Sequence, residues 1–258
     1  MTENKLSADK IKALLLEKGT VVDLIFKEET ESTNADIKRM AGQATDKTVV
    51  IAESQTAGRG RMGRSFYSEL GSGIYLTILI KSGINVENVV LITTAASVAV
   101  SRAIEDATGI KTGIKWVNDL YFNSKKVCGI LAEGITDAAS GKIIGVAVGV
   151  GINCGKADFP AELKDIAGTL GENIDKNKLA ADVIANLCQI PEMISDKSFI
   201  KEYKEKSIVL GKEIFVIGQA TQKATAIDID EDGGLVVKLE SGETTVLRTG
   251  EISIRVGN

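Results

Sequence analysis

The stretch Ile143 to Ile152 is apolar at nearly every position, yet it is interrupted by Gly145, Gly149 and Gly151. Such a run reads as a buried strand, and glycines inside a strand mark places where a ligand or another backbone comes close. Thr48 to Glu53 and Gly73 to Lys81 read as companion strands, and Asn88 to Thr108 has the small-residue content of a helix packed against a sheet. Gly113 to Trp116, Leu120 to Phe122 and Lys126 to Glu133 add shorter strands, the last two joined at Asn123-Ser124 in hairpin fashion. Ser7 suits the cap of a first short helix ending near Gly19. Ala35 to Ala41 reads as a second helix, capped by Ser32 or Thr33.

From Cys154 to Asn173 the pattern is irregular. Lys178 to Met193 then reads as one amphipathic helix and Phe199 to Lys206 as another. Beyond Ser207, β-branched residues alternate with turn signals such as Asp230-Glu231-Asp232-Gly233-Gly234, which predicts four or five short strands in a small barrel. The expected division is residues 1–206 and residues 207–258. About twenty residues stand before the apolar run Val21 to Phe26, which is expected to be too few for the three-helix module with which some DNA-binding proteins begin.

Charge and composition narrow the chemistry. A net charge of -4 argues against a general nucleic-acid binder, and no apolar run reaches membrane-spanning length. Cys128, Cys154 and Cys188 are widely spaced, so they read as buried thiols of a reducing cytoplasm and not as a metal site. The chain has no histidine, which removes Ser-His-Asp catalysis and histidine-ligated zinc.

Against that acidic background, Gly58-Arg59-Gly60-Arg61-Met62-Gly63-Arg64 concentrates positive charge on bare backbone. Glycines let main-chain N–H groups converge on an anion, and arginines supply planar charged forks. Taken alone, an exposed basic loop accounts for it as well. Lys115-Trp116-Val117-Asn118-Asp119 is a second unusual cluster, a lysine leading into an Asn-Asp turn, and a plain β-turn explains it when read in isolation.

Order decides between these readings. Ser32-Thr33-Asn34, then Gln55-Thr56-Ala57-Gly58-Arg59-Gly60-Arg61-Met62-Gly63-Arg64, then Lys115-Trp116-Val117-Asn118-Asp119-Leu120, then Gly129-Ile130-Leu131-Ala132-Glu133, then Gly151-Ile152-Asn153 resembles the biotin protein ligases. The ending Gly250-Glu251-Ile252-Ser253-Ile254-Arg255 looks like theirs too, and the resemblance spans nearly the whole chain.

The resemblance implies an α+β fold: a central mixed sheet flanked by helices, of the class II synthetase-like type, with a small SH3-like C-terminal barrel. It implies ATP, Mg2+ carried by ATP, and biotin as substrate, with a biotin carboxyl carrier domain as partner. A homodimer is also consistent with it, and neither DNA nor membrane is. Biotin would be bound by Ser32, Thr33, Asn34, Gln55, Arg59, Gly60, Arg61, Lys115, Gly129 and Leu131. The adenylate would be held by Arg61, Arg64, Phe66, Asn118 and Asn153, with Phe66 facing adenine. Lys115, Arg61 and Arg64 would carry catalysis, and no side-chain metal site is expected. Val117 departs from the family's usual proline. Two rival readings are a lipoate-protein ligase, whose histidine-containing signatures this chain cannot hold, and an RNA-binding module gripping its ligand with the Gly-Arg loop.

Overall fold

The computed structural model describes residues 5–82, 88–217 and 221–248, together with the backbone of 253–256. In chain order the first part comprises α1 (Ala8–Glu17), β1 (Asp23–Thr30), α2 (Thr33–Met40), β2 (Thr48–Gln55), β3 (Gly73–Ile80) and α3 (Val89–Thr108). Then follow β4 (Gly113–Lys115), β5 (Asp119–Phe122), β6 (Lys125–Thr136), β7 (Ile143–Asn153), α4 (Lys176–Leu187), α5 (Ile190–Asp196) and α6 (Phe199–Lys206). The C-terminal unit adds β8 (Glu213–Ile217), β9 (Thr221–Ile229), β10 (Leu235–Leu239), β11 (Thr244–Leu247) and β12 (Ser253–Val256).

Seven strands form one mixed sheet in the order β1-β2-β3-β7-β6-β5-β4. Only β1 and β2 run parallel, linked by α2, and the remaining pairs are antiparallel. The β5–β6 turn places Asn123 and Ser124 at positive φ, 49° and 62°, the geometry that a two-residue hairpin matched to strand twist requires.

The two faces of the sheet are covered unequally. Alternate residues Val146, Val148, Val150 and Ile152 of β7 join the main core beneath α3 and α4, with Ile74, Leu76 and Ile78 of β3. The opposite face is covered at one end by α2, where Ile37 and Ala41 pack on Val50, Leu79, Ala147 and Ile135. Beyond α2 that face continues as Thr77 and Tyr75 on β3, Gly149 and Gly151 on β7, and Leu131 and Gly129 on β6, in register across the sheet. The first turn of α2 reaches only the Thr77–Gly149–Leu131 row of this patch, through Thr33 and Asn34, and the site lies there.

Two helical expectations need correction. Ser32 occupies the N-cap position of α2 but makes no side-chain cap. The Thr33 N–H goes to Gln55 Oε1 on β2 at 2.9 Å, so the helix end is satisfied from the neighbouring strand. The segment expected as one helix from Lys178 to Met193 is broken after Leu187 into α4 and α5, with a proline in the first turn of α5. Proline has no N–H to donate to the preceding helix's ladder and instead suits the first turn of a new one.

The C-terminal strands form a separate antiparallel sheet in the order β11-β10-β9-β8-β12, and no β11–β12 pairing closes it among the described residues. Of the closing motif, residues 249–252 lie outside the described residues, while Ser253–Val256 forms the strand paired with β8.

Candidate functional site

A concavity of about 450 Å3, counting the solvent at its mouth, lies on the uncovered patch of the sheet. It is lined by Ser32, Thr33, Asn34, Gln55, Arg59, Gly60, Arg61, Phe66, Asn118, Gly129 and Leu131, all expected from the sequence. Lys126, Ile130, Gly149, Val150 and Gly151 complete it.

The inner end is a polar network at the start of α2. Asn34 Nδ2 donates to Glu133 Oε2 at 2.9 Å and to the Leu131 carbonyl at 3.3 Å. Its Oδ1 lies 2.6 Å from the Thr77 hydroxyl, which is also 2.8 Å from Thr33 Oγ1. Gln55 is held at both ends of its amide, accepting from Thr33 N–H and donating to Ser68 Oγ at 2.9 Å. These bonds set the orientation of both amides. The Ser32 side chain is buried and, among the described residues, makes no hydrogen bond, leaving its hydroxyl available to a ligand.

Glu133 is the anchor of that network. Burial alone would push its carboxyl up, but the Asn34 amide and the Lys38 ammonium at 2.6 Å together hold it below the ordinary glutamate range. A carboxyl lowered in this way stays charged as pH falls through the usual glutamate value, and its contribution is lost only below that. Glu133→Gln should therefore raise KM for the ligand of this concavity roughly ten-fold, the size of a weakened charge-assisted bond, in steady-state assays. The wild-type KM should stay flat from pH 7 down to about 4.3.

The floor is built from glycine for steric reasons. A methyl group at Gly149 would land on the Asn34 amide oxygen, and one at Gly151 would lie 2.5 Å from Phe66 Cε1. Phe66 thus lies against Gly151 and Gly129, edge-on to Tyr75 with ring centroids 6.4 Å apart. The glycine loop puts it there. Arg59 pairs with Ser65, and Phe66 N–H donates to the Gly58 carbonyl at 2.9 Å, so the chain folds back and turns the ring inward. Phe66, expected beside adenine, thus lies against Gly129 and Gly151 on the wall of the concavity.

The outer end carries the charge. Arg61 Nη1 donates to Asn118 Oδ1 at 3.1 Å, and Asn118 in turn bonds the Ile130 carbonyl at 2.9 Å. Burial lowers the Arg61 guanidinium's pKa, partly countered by Asp119. A desolvated cation of this kind interacts strongly with an incoming anion.

The lysine of the concavity is Lys126. Its Nζ lies 2.6 Å from Asp119 Oδ1, close enough for an ion pair but outside hydrogen-bond geometry, and 6.0 Å from the Phe66 centroid. Lys115, expected in this role, lies outside the lining. It sits on β4, two strands beyond β6, and its Nζ stands 5.6 Å over the Tyr121 ring. At about 4.8 Å per strand this displaces it by roughly 10 Å.

Arg64 and Asn153 also lie outside the lining. Arg64 contributes its carbonyl to the loop, accepting from Gly60 N–H at 2.7 Å, and its side chain is exposed. Asn153 donates to the Gly168 carbonyl at 3.0 Å and so fixes the irregular segment after β7. That segment and the β5–β6 turn border a second concavity lined by Phe122, Lys125, Phe159 and Gly168 among others. The sequence offered one signal for Lys126, its place three residues before Gly129 on a strand already assigned to the site.

Comparison with known proteins agrees with this geometry. Residues 26–153 match the biotin/lipoate A/B protein ligase family and residues 209–255 the biotin protein ligase C-terminal domain. The bifunctional ligase/repressor BirA of Bacillus subtilis is 33% identical over 92% of this chain and 76% of its own length. The biotin–[acetyl-CoA-carboxylase] ligase of Mycobacterium tuberculosis is 30% identical over 87% of this chain and 86% of that protein. Among solved structures, the biotin protein ligase of Aquifex aeolicus in complex with biotin and ATP superposes with a TM-score of 0.80. It is 30% identical and covers 91% of this chain and 99% of that one. With both parts matched in order, and relatives aligned along nearly its full length, the chain belongs to the biotin protein ligase family.

Proposed function

We propose that the chain activates biotin with ATP to biotinyl-5′-AMP and transfers the biotinyl group to a lysine of a biotin carboxyl carrier domain. The observation that carries this reading is the polarity of one concavity, with oriented amides and hydroxyls at its inner end and Arg61, Asn118 and Lys126 at its outer end. A ureido ring presents both N–H donors and a carbonyl acceptor, which the mixed set Ser32, Thr33, Asn34 and Gln55 complements. Gly129, Gly151 and Phe66 offer the flat apolar wall that the fused rings need. The valeryl chain then directs its carboxylate to Lys126 and Arg61.

In the first step a biotin carboxylate oxygen attacks the α-phosphorus of ATP, the phosphoanhydride bond breaks, and pyrophosphate leaves. Bringing two anions together is the main difficulty, and fixed cations offset it. Lys126 and Arg61 do this as cations fixed at the outer end of the concavity, with Arg59 at the rim. Mg2+ arrives with ATP and neutralises triphosphate charge. Among the described residues no cluster of three or more acidic or thiol groups forms a site of its own for it. In the second step the carrier's uncharged lysine amine attacks the acyl carbon, an amide bond forms, and AMP departs with the electron pair of the broken mixed-anhydride bond. Lys126 offsets the negative charge that develops on the acyl and phosphate oxygens.

Asn153, through the segment that it fixes, together with the adjoining second concavity, supports assignment of the adenosine to that side. Residues 1–206 would form the catalytic body and 207–258 the C-terminal unit. Three buried free thiols favour a cytoplasmic location, with Cys188 pushed up to about 11 by burial.

Arg61→Gly should release the adenylate about 10²-fold faster, in line with loss of one charged donor, as measured by dissociation of labelled biotinyl-AMP. The proposal as a whole is tested by incubating the protein with ATP, a purified carrier domain, and biotin or lipoate. Carrier labelling with biotin is expected. Labelling with lipoate alone, or salt-sensitive RNA retention without adenylate, would overturn it.

A further inference from the structure

Trp116, Val117 and Asn118 form the strap between β4 and β5, Asp119 opens β5, and each of the four is held by a different part of the molecule. Asp119 faces Lys126, and Asn118 holds Arg61 and β6. The Val117 carbonyl accepts from Ser97 Oγ on α3 at 3.1 Å and from the Tyr203 hydroxyl on α6 at 3.2 Å. Trp116, buried, donates its indole N–H at 2.9 Å to the carbonyl of Gly233, which belongs to the C-terminal unit.

The acceptor turn is rigidly built. Asp230 Oδ1 accepts from Asp232 N–H at 3.0 Å and Gly234 N–H at 2.7 Å, and its other oxygen lies 2.6 Å from Arg248. Gly233 itself has φ +80° and rests on α3, where a methyl group would lie 2.7 Å from Thr94 Oγ1. Only a residue without a side chain brings this carbonyl to Trp116.

We infer that Trp116 is a positioning residue through which the 230–234 turn of the C-terminal unit holds the strap that aims Arg61 and Lys126 at the reacting phosphate. The inference rests on the biotin ligase reading of the site. The residues assigned to the head and rings of biotin stand on α2, β2, β6, β7 and the glycine loop, none of which this bond touches, so the strap's setting reaches biotin only through its carboxylate at Arg61 and Lys126 and changes the rate of adenylation more than biotin binding.

The test uses the full chain and follows biotin-dependent pyrophosphate release for Trp116→Phe, Gly233→Ala and the double variant. Each single variant should lower kcat about ten-fold, the size of one buried hydrogen bond, with KM for biotin within about two-fold of wild type. The double variant should be no slower than the slower single one, because both remove the same bond. Arg248→Ala, which loosens the turn from the exposed side, should show the same kcat-only loss at smaller size and serves if Trp116→Phe unfolds. Multiplying losses in the double variant, a rise in KM with kcat unchanged, or unchanged rates in Gly233→Ala and Arg248→Ala would overturn the coupling. A wild-type chain without biotin-dependent pyrophosphate release would instead remove the functional reading beneath it.

Discussion

Lys126→Met will lower the single-turnover rate of biotin adenylation by about 10²–10³-fold, the loss expected when one preorganised charged donor, about 2.7–4 kcal/mol, is removed from the transition state. Methionine keeps the length and apolar stem of lysine, so packing against Phe66 and Gly129 survives while the charge does not. The same substitution leaves Asp119 without its cation at the mouth of the site. An uncompensated carboxylate there repels the incoming anions and adds to the loss. Lys115→Met should cost less than about ten-fold, since its ammonium lies over Tyr121 on the edge strand. The ratio between the two variants, measured by quenched-flow detection of biotinyl-AMP, is the informative quantity. Equal losses would mean that Lys115 reaches the phosphate from the sheet edge, and a larger loss at Lys115 would return it to the role that its sequence motif suggested.

The second large effect is expected at Gly149→Ala, with KM for biotin rising about 10²-fold and kcat changing little. The added methyl occupies the position of the Asn34 amide oxygen, so Asn34 must move. Its movement breaks the contacts to Thr77, to the Leu131 carbonyl and to Glu133 together. Loss of a buried polar network of this kind costs about 3 kcal/mol, several times a single neutral hydrogen bond. Isothermal titration with biotin checks it. Because the same network also holds the ligand-free protein together, thermal unfolding of the variant should shift down as well, and biotin affinity is to be measured below that transition. A variant that binds biotin normally would remove Asn34 from the pocket.

The apolar runs made the central strands readable because a buried strand leaves few alternatives, and β7 shows this well. Its alternate valines enter one core while Gly149 and Gly151 face the site. The glycine-arginine loop was readable as an anion cradle, and its position between β2 and β3 was implied by the strands on either side. What sequence spacing does not carry is sheet order. Lys115 precedes the Asn-Asp turn on β4 and Lys126 follows the next turn on β6, and β5 lies between them in the sheet. The bulge between Leu120 and Tyr121 further shifts which residues face each other. Ser32 was legible as a helix cap by residue type, but Gln55, from a strand more than twenty positions away, satisfies the helix end. Phe66 was legible as an aromatic near the site, whereas its direction depends on the backbone reversal at Gly58.

We propose that one pocket joins a biotin-shaped inner end to a phosphate-directed outer end, and ATP–pyrophosphate exchange with the purified chain tests both ends at once. Exchange that requires biotin, and that lipoate does not support, is the predicted result. Exchange driven by lipoate in place of biotin, or none with either acid, would contradict it.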